Sequence, residues 1–451
     1  MKRQRSRSGR TTLAAAAAMC AVAAAPGAAY AAGPDDVQPY KTAADAKPVK
    51  GAASSAEGPR LEPGGIYTDS IKPGEERFYT VDLDAKSNVF VSAVGAPAAG
   101  SKVAFSDGID IVLMSTGGDE CSSSDDTDFG SEQARPIADY AHRRIREDGD
   151  CQQAGPYYVK VVRTSEKTSG PEAWPVELAF MQEPGLRSGA SATAPPTSWN
   201  SASPAPASGT PQKREGGTGF NDARALGDGV WKDTLAPGQT RFYRVPLDWG
   251  QQLTVNAELA NAKMTKDSGF AAPALTTALY NTARGPAVSE NTSYDGKQAA
   301  DGLGPTAPVA YSNRFSNDSA ALPMRFSGWY YLAVTLDKRV GEFTTGTVPL
   351  TLRVTIGGKA AQGPDYDGDA AAAGFGLTGA DREAAEKGQT AVEAGESGTM
   401  KVVAAVGIGA GTVLVLGLGA WTMLARRRGS AAPAGPVSDG PTQQQYGPSA
   451  W

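Results

Sequence analysis

GIYTDSIKPGEERFYTVDLD at residues 65–84 and GVWKDTLAPGQTRFYRVPLD at residues 229–248 are one pattern written twice. A shift of 164 overlays them without a gap, and ten of the twenty positions are identical: Gly65, Asp69, Pro73, Gly74, Arg77, Phe78, Tyr79, Val81, Leu83 and Asp84. Ile66/Val230, Tyr67/Trp231 and Ile71/Leu235 keep their character. The period inside the pattern is two: Tyr79, Val81 and Leu83 share one face, Phe78, Thr80 and Asp82 the other, which predicts a strand with one wet side. Tyr79 and Tyr243 are expected in the core, leaving Phe78 and Phe242 as the more exposed pair unless a loop covers them. Pro73-Gly74 and Pro237-Gly238 supply the turn before that strand, because proline presets φ and glycine tolerates φ > 0.

The repeat extends outward. AGPYYVKV (154–161) matches SGWYYLAV (327–334), and PVELAF (175–180) matches PLTLRV (349–354), the offset drifting from 164 to 174 as loops gain residues. Leu253, Val255, Ala257 and Leu259 alternate with Thr254, Asn256 and Glu258, and Leu350, Leu352, Val354 and Ile356 alternate with Thr351, Arg353 and Thr355. Short alternating strands without a long amphipathic helix predict an all-β fold: two antiparallel β-sandwich domains in tandem, at residues 57–186 and 218–360.

The order Pro-Gly, Arg-Phe-Tyr-x-Val, then Gly-x-Tyr-Tyr-x-x-Val resembles the bacterial pre-peptidase C-terminal domain. It lies at Pro73-Gly74, Arg77-Phe78-Tyr79 and Gly155 to Val161, and again at Pro237-Gly238, Arg241-Phe242-Tyr243 and Gly328 to Val334. The resemblance implies β-sandwich modules of the kind appended to secreted peptidases and other exported proteins. The family's modules accompany a catalytic domain, and this sequence shows none. The whole layout also resembles single-pass membrane proteins of high-GC actinobacteria.

The segments around the two dense regions have a different composition. Residues 32–56 read as a disordered leader and 187–217, built of Ser, Ala, Pro, Thr and Gly, as a flexible linker. Residues 361–400 read as a Gly/Ala/acidic stalk, in which 381–396 offers at most a transient helix with no apolar face to dock. Residues 1–31 read as a signal peptide, a basic stretch and an apolar run ending in a small-x-small cleavage site at Ala29 and Ala31. Residues 402–425 carry no charge and are long enough to cross a bilayer of about 30 Å as a helix. Gly407 and Gly411 within them form a GxxxG pair. Arg426, Arg427 and Arg428 follow, so the positive-inside rule leaves 426–451 as a cytoplasmic disordered tail and the rest outside the cell. The net charge of −5 includes +5 from residues 1–31 and +2 from 426–451, so residues 32–425 carry −12. That balance argues against nucleic acid as a partner.

Once the signal peptide is removed, Cys121 and Cys151 remain, to pair as a disulfide or stay as free thiols; closing that loop is worth roughly 3–4 kcal/mol in the chain-entropy model. Asp119, Glu120, Asp125, Asp126 and Asp128 crowd one stretch, which reads either as a solvated loop or as a calcium site. His142 is the sole histidine, in a stretch read as a charged loop or short helix, without the nucleophile context of a triad and without the Cys/His cluster zinc needs. Trp249, at a hairpin turn, either stacks on a sugar or covers core. Tyr157-Tyr158 and Tyr330-Tyr331 occur in both copies, which favours packing. No cofactor is implied. The expected function is a non-catalytic cell-surface protein that presents two binding modules to a protein or glycan; the alternative is an accessory subunit of a separately encoded exported enzyme or secretion complex.

Overall fold

The computed structural model describes residues 37–124, 127–146, 149–187, 194–196 and 198–395. The signal peptide with Ala29 and Ala31, the acidic residues Asp125 and Asp126, the span 402–425 and Arg426 to Arg428 lie outside them. Among the described residues no helix is long and apolar enough to cross a membrane.

The fold is mostly β, with four sheets and little helix. The first half contributes β1 (Lys47–Pro48), β2 (Arg60–Leu61), β3 (Ile66–Ile71), β4 (Glu76–Leu83), β5 (Asn88–Gly95), β6 (Gly108–Ser115), β7 (Glu120–Ser123), β8 (Thr127–Asp128), β9 (Ile137–Arg143), β10 (Gly155–Thr164) and β11 (Trp174–Glu183). The second half contributes β12 (Gln212–Lys213), β13 (Arg224–Ala225), β14 (Gly229–Leu235), β15 (Thr240–Leu247), β16 (Gln252–Leu259), β17 (Ala271–Tyr280), β18 (Pro286–Tyr294), β19 (Ala299–Leu303), β20 (Gly328–Leu336) and β21 (Val348–Gly357). In the first sandwich a sheet ordered β1-β3-β11-β5-β9 faces one ordered β2-β4-β10-β6-β7, with β8 paired to β6. In the second, β12-β14-β21-β16-β19 faces β13-β15-β20-β17-β18. The two orders correspond strand for strand apart from β8, and each pair of sheets encloses its own apolar core.

The residues shared by both copies explain why each core closes. Tyr79 points inward and donates from its hydroxyl to Asp69 at 2.7 Å; Tyr243 does the same to Asp233 at 2.6 Å. The same carboxylates accept the backbone N–H of Gly51 (2.7 Å) and Gly216 (2.9 Å), and Arg77 and Arg241 donate to the carbonyls of those glycines, each at 3.0 Å. A Cβ at Gly51 or Gly216 would stand 2.8 or 2.7 Å from the tyrosine ring. Asp, Arg and Tyr together clamp the chain that enters each sandwich. Gly74 and Gly238 of the turns have φ of 68° and 86°, as that turn requires. Tyr157 and Tyr330 are core residues whose hydroxyls each donate at 2.8 Å to a carbonyl four residues upstream, Gln153 and Phe326.

The two sandwiches also pack on one another. The outer face of β11, β5 and β9 lies against the outer face of β15, β20 and β17, so the four sheets form one stack. Val94, Ala138, Phe220, Phe242, Tyr280 and Ala333 fill one part of this seam, and Phe90, Tyr140, Phe326 and Phe375 another. The tyrosines of the motif are inward, as expected. Phe242 departs from expectation: it is buried in the seam under Tyr40 and Phe220, with ring centroids 5.9 and 5.0 Å away, whereas Phe78 on the free face is half-buried. The stretch read as a charged loop or short helix around His142 is strand β9.

The connecting segments differ from their reading as loose chain. β1, in the leader, and β2 just after it pair in parallel with β3 and β4, and β12, in the linker, and β13 do the same with β14 and β15, so the repeat begins earlier than its motif. In the linker, Trp199 packs on the second core, and Arg353 donates to the Ala207 carbonyl at 3.0 Å. In the stalk, Phe375 is buried in the seam, and α1 (Gly379–Lys387) carries a Thr378/Asp381 capping box and buries Ala384 and Ala385. Two small residues suffice for that docking, which is why no apolar stripe announced it.

Tyr79→Ala and Tyr243→Ala are each expected to cost about 3–5 kcal/mol, the range for a large buried aromatic. Phe242→Ala belongs with them, and Phe78→Ala costs clearly less. Denaturant melts of the four variants check this; equal losses for Phe78→Ala and Phe242→Ala would contradict the packing of the seam.

Candidate functional site

Cys121, in β7, and Cys151 form a disulfide with Cα atoms 5.6 Å apart. Of the acidic residues proposed for calcium, Asp119 accepts from the Ser115 hydroxyl at 3.1 Å, Glu120 sits exposed in β7 and Asp128 in β8. No group of three or more His, Cys, Asp or Glu that could hold a metal ion occurs among the described residues. Trp249 is half-buried and packs on the second core, with its ring centroid 6.5 Å from that of Tyr311. His142 lies half-buried in the seam, its ring 6.0 Å from Phe90 and nearly parallel to it, and its Nδ1 has no hydrogen-bond partner.

The residues that organise the junction were not singled out from sequence. β11 points Trp174, Val176, Leu178 and Phe180 into the first core, and Glu177, Met181 and Glu183 into the seam. Glu177, 1% exposed, takes a 2.5 Å bond from Arg284, and also accepts from Tyr40, Asn221 and the Ala43 N–H. Glu183, 0% exposed, takes Arg314 through both η nitrogens at 2.9 and 2.7 Å, with Asn88 and the Tyr366 hydroxyl as further donors. Burial works against the charge of Arg284 and Arg314, but the facing carboxylates more than offset it and both are held above their ordinary pKa. The Tyr366 hydroxyl is pushed well up by burial and by Glu183. A lone acid on such a strand gave no warning; the apolar Met181 on a supposedly wet face was the available signal.

Over the Glu183 pair the junction opens into a cleft. One part, of about 840 Å³, lies between the turn at residues 84–88, residues 184–187 that follow β11, and Tyr311, Phe315 and Asp367. A second part, of about 440 Å³, is lined by Trp249, Pro308, Tyr311 and residues 361–365. Leu186 and Tyr311 border both, so the two adjoin. Tyr311 is fixed by Arg314, whose guanidinium stands 3.4 Å from the ring centroid, and burial raises the pKa of its hydroxyl. Asp84 accepts the N–H groups of Lys86 and Ser87 at 2.8 and 2.7 Å and the Ser87 hydroxyl at 2.8 Å. Partial burial raises its pKa, but these bonds outweigh it and hold the carboxylate below its usual range. The cleft therefore combines aromatic side chains with carboxylates, and both halves of the chain build it.

No family model matches the chain, and no curated protein matches it. Solved structures with some likeness include the pre-peptidase C-terminal domain of a collagenase from Bacillus anthracis (15% identity, 28% of this chain and 94% of that one, TM-score 0.19). Tandem CBM51 modules of a family 98 glycoside hydrolase from Streptococcus pneumoniae are 8% identical over 65% of this chain and 83% of theirs, TM-score 0.17. The CUB1-EGF-CUB2 domains of human MASP-1/3 are 7% identical over 64% and 99%, TM-score 0.16.

Burial, followed by the charges of Arg325, Arg144, Arg146 and Arg314, holds His142 well below its ordinary pKa. The unfolded chain then binds a proton that the folded one refuses, so stability is complete above about pH 6.5 and falls as pH drops, by up to about 1.4 kcal/mol per unit. Because His142 is the only histidine, His142→Asn should flatten the stability profile between pH 7 and pH 5 (about one titrating group's worth). An unchanged slope in denaturant melts would contradict the buried, neutral imidazole.

Proposed function

We propose that the chain is a non-catalytic binding protein displayed on the outer side of a membrane, and that its ligand is a glycan held in the junction cleft. The supporting observation is the cleft itself. Trp249 and Tyr311 line it with aromatic side chains of the kind that stack on sugars, and Asp84 and Asp367 line the adjoining part, where sugar hydroxyls find acceptors. The floor is held by a buried, doubly hydrogen-bonded ion pair, which preorganises it at low cost to binding. Display outside the cell is supported by the uncharged run at 402–425 and the arginines after it. The Arg-Phe-Tyr and Gly-x-Tyr-Tyr motifs support sandwiches of the pre-peptidase C-terminal type, here serving as the platform rather than as an appendage.

The test is retention of the detergent-purified full chain on insoluble cell-wall polysaccharide and on chitin, with Tyr311→Ala and Trp249→Ala alongside. Tyr311→Ala and Trp249→Ala should each weaken retention about tenfold or more, the loss of one stacking partner and its contacts, while melts report whether either fold is damaged. No retention on any polysaccharide, or retention indifferent to both variants, would overturn the glycan reading.

A further inference from the structure

The seam buries three arginines from the second half of the chain, and only two have a carboxylate. Arg284 meets Glu177 and Arg314 meets Glu183. Arg325, 2% exposed, has no ion-pair partner among the described residues. One of its η nitrogens donates to the Tyr140 hydroxyl, while Nε and the other, Nη1, have no partner. Its nearest neighbours are aromatic: the rings of Phe90, Tyr140 and Phe326 lie 5.6, 5.5 and 5.3 Å from its guanidinium carbon. His142, with its own unpartnered Nδ1, lines the same space, and Arg144, which has no ion pair among the described residues, adds positive charge nearby. That space is a cavity of about 420 Å³ between the two sandwiches, bounded by β7, β8 and β9 on one side and by β17, β18 and the segment before β20 on the other. Arg135 and the carboxylates Asp128 and Asp139 also line it, Asp139 already accepting from the Thr127 hydroxyl and the Tyr140 N–H. It shares no lining residue with the junction cleft.

We propose that this cavity is a binding site for an oxyanion, a carboxylate or phosphate group, taken by Arg325 and His142. A guanidinium presents two parallel N–H donors, the geometry that matches such a group, and a buried cation without a counter-ion is costly until one arrives. His142 adds a donor when protonated, and a bound anion favours that state. The ligand would bridge the two sandwiches, because Arg325 belongs to one and His142 to the other. This site does not depend on what the cleft binds, and it can fail while the glycan reading stands.

The sole histidine makes the test direct. The full chain in detergent, with histidine selectively ¹³C-labelled, gives one ring resonance to follow while inorganic phosphate, and separately acetate, replaces chloride at constant ionic strength. The resonance should move saturably, and its apparent pKa should rise, with one or both anions; phosphate alone would point to phosphorylated ligands, acetate alone to carboxylates. Arg325→Lys, which keeps the charge but loses the fork, should weaken binding about tenfold. No saturable movement with either anion across the millimolar range would overturn the proposal without recourse to any variant. Full-strength binding by a folded Arg325→Lys or Arg325→Met protein would overturn it as well.

Discussion

Burying a carboxylate on the outer face of a sandwich is costly unless a cation and hydrogen-bond donors meet it there. Glu177 and Glu183, both on β11, meet theirs on the neighbouring sandwich. Each pair is satisfied by further donors from other segments: Tyr40 and Asn221 around Glu177, Asn88 and Tyr366 around Glu183. Leader, linker side, second sandwich and stalk are therefore drawn to the same strand. Removing one partner would strand a buried charge, a penalty of about 3–5 kcal/mol. The pairs specify the arrangement, and the aromatic seam around them supplies the apolar burial that makes it favourable.

Duplication produced two copies of one fold, but the copies are not used alike. The first offers the sheet containing β11 and the second the opposite type of sheet, containing β15 and β20, so the contact is front to back. The two faces left at the ends of the stack are polar. Glu76, Thr80, Asp82 and Lys160 lie on one, and Lys232, Thr351, Arg353 and Glu258 on the other, the last two joined at 2.6 Å. Those faces act as caps, as terminal repeats do in solenoids.

Much of each sandwich was legible because alternation, turn chemistry and an internal repeat all point the same way. Tyr79 and Val81 share a face in any strand, and the turn before them needs its glycine. The seam was harder to read. Alternation tells which face is core, but it does not tell whether the other face is wet. Phe242 is expected outside, like Phe78, because both alternate with an inward tyrosine, and nothing in the strand itself announces the segment that covers Phe242. Besides Met181, a hint lay in NVFVSAVG at 88–95, where Phe90 and Val94 stand on the face opposite Val89, Val91 and Ala93 and the whole strand is buried. The docked leader and stalk escaped notice for another reason. Their large anchors are few, Tyr40, Tyr366 and Phe375, set in chain whose composition is that of a linker. The cleft and the anion cavity depend on the seam and were hidden with it.

The functional reading therefore rests on one structural claim, that two sandwiches joined by linker-like chain behave as one body. A cleft shared between them can preorganise a ligand only if its walls do not drift. Scanning calorimetry of the full chain addresses this directly. The account predicts a single unfolding transition in which calorimetric and van't Hoff enthalpies agree. Two separable transitions, with one sandwich melting while the other stays folded, would contradict it.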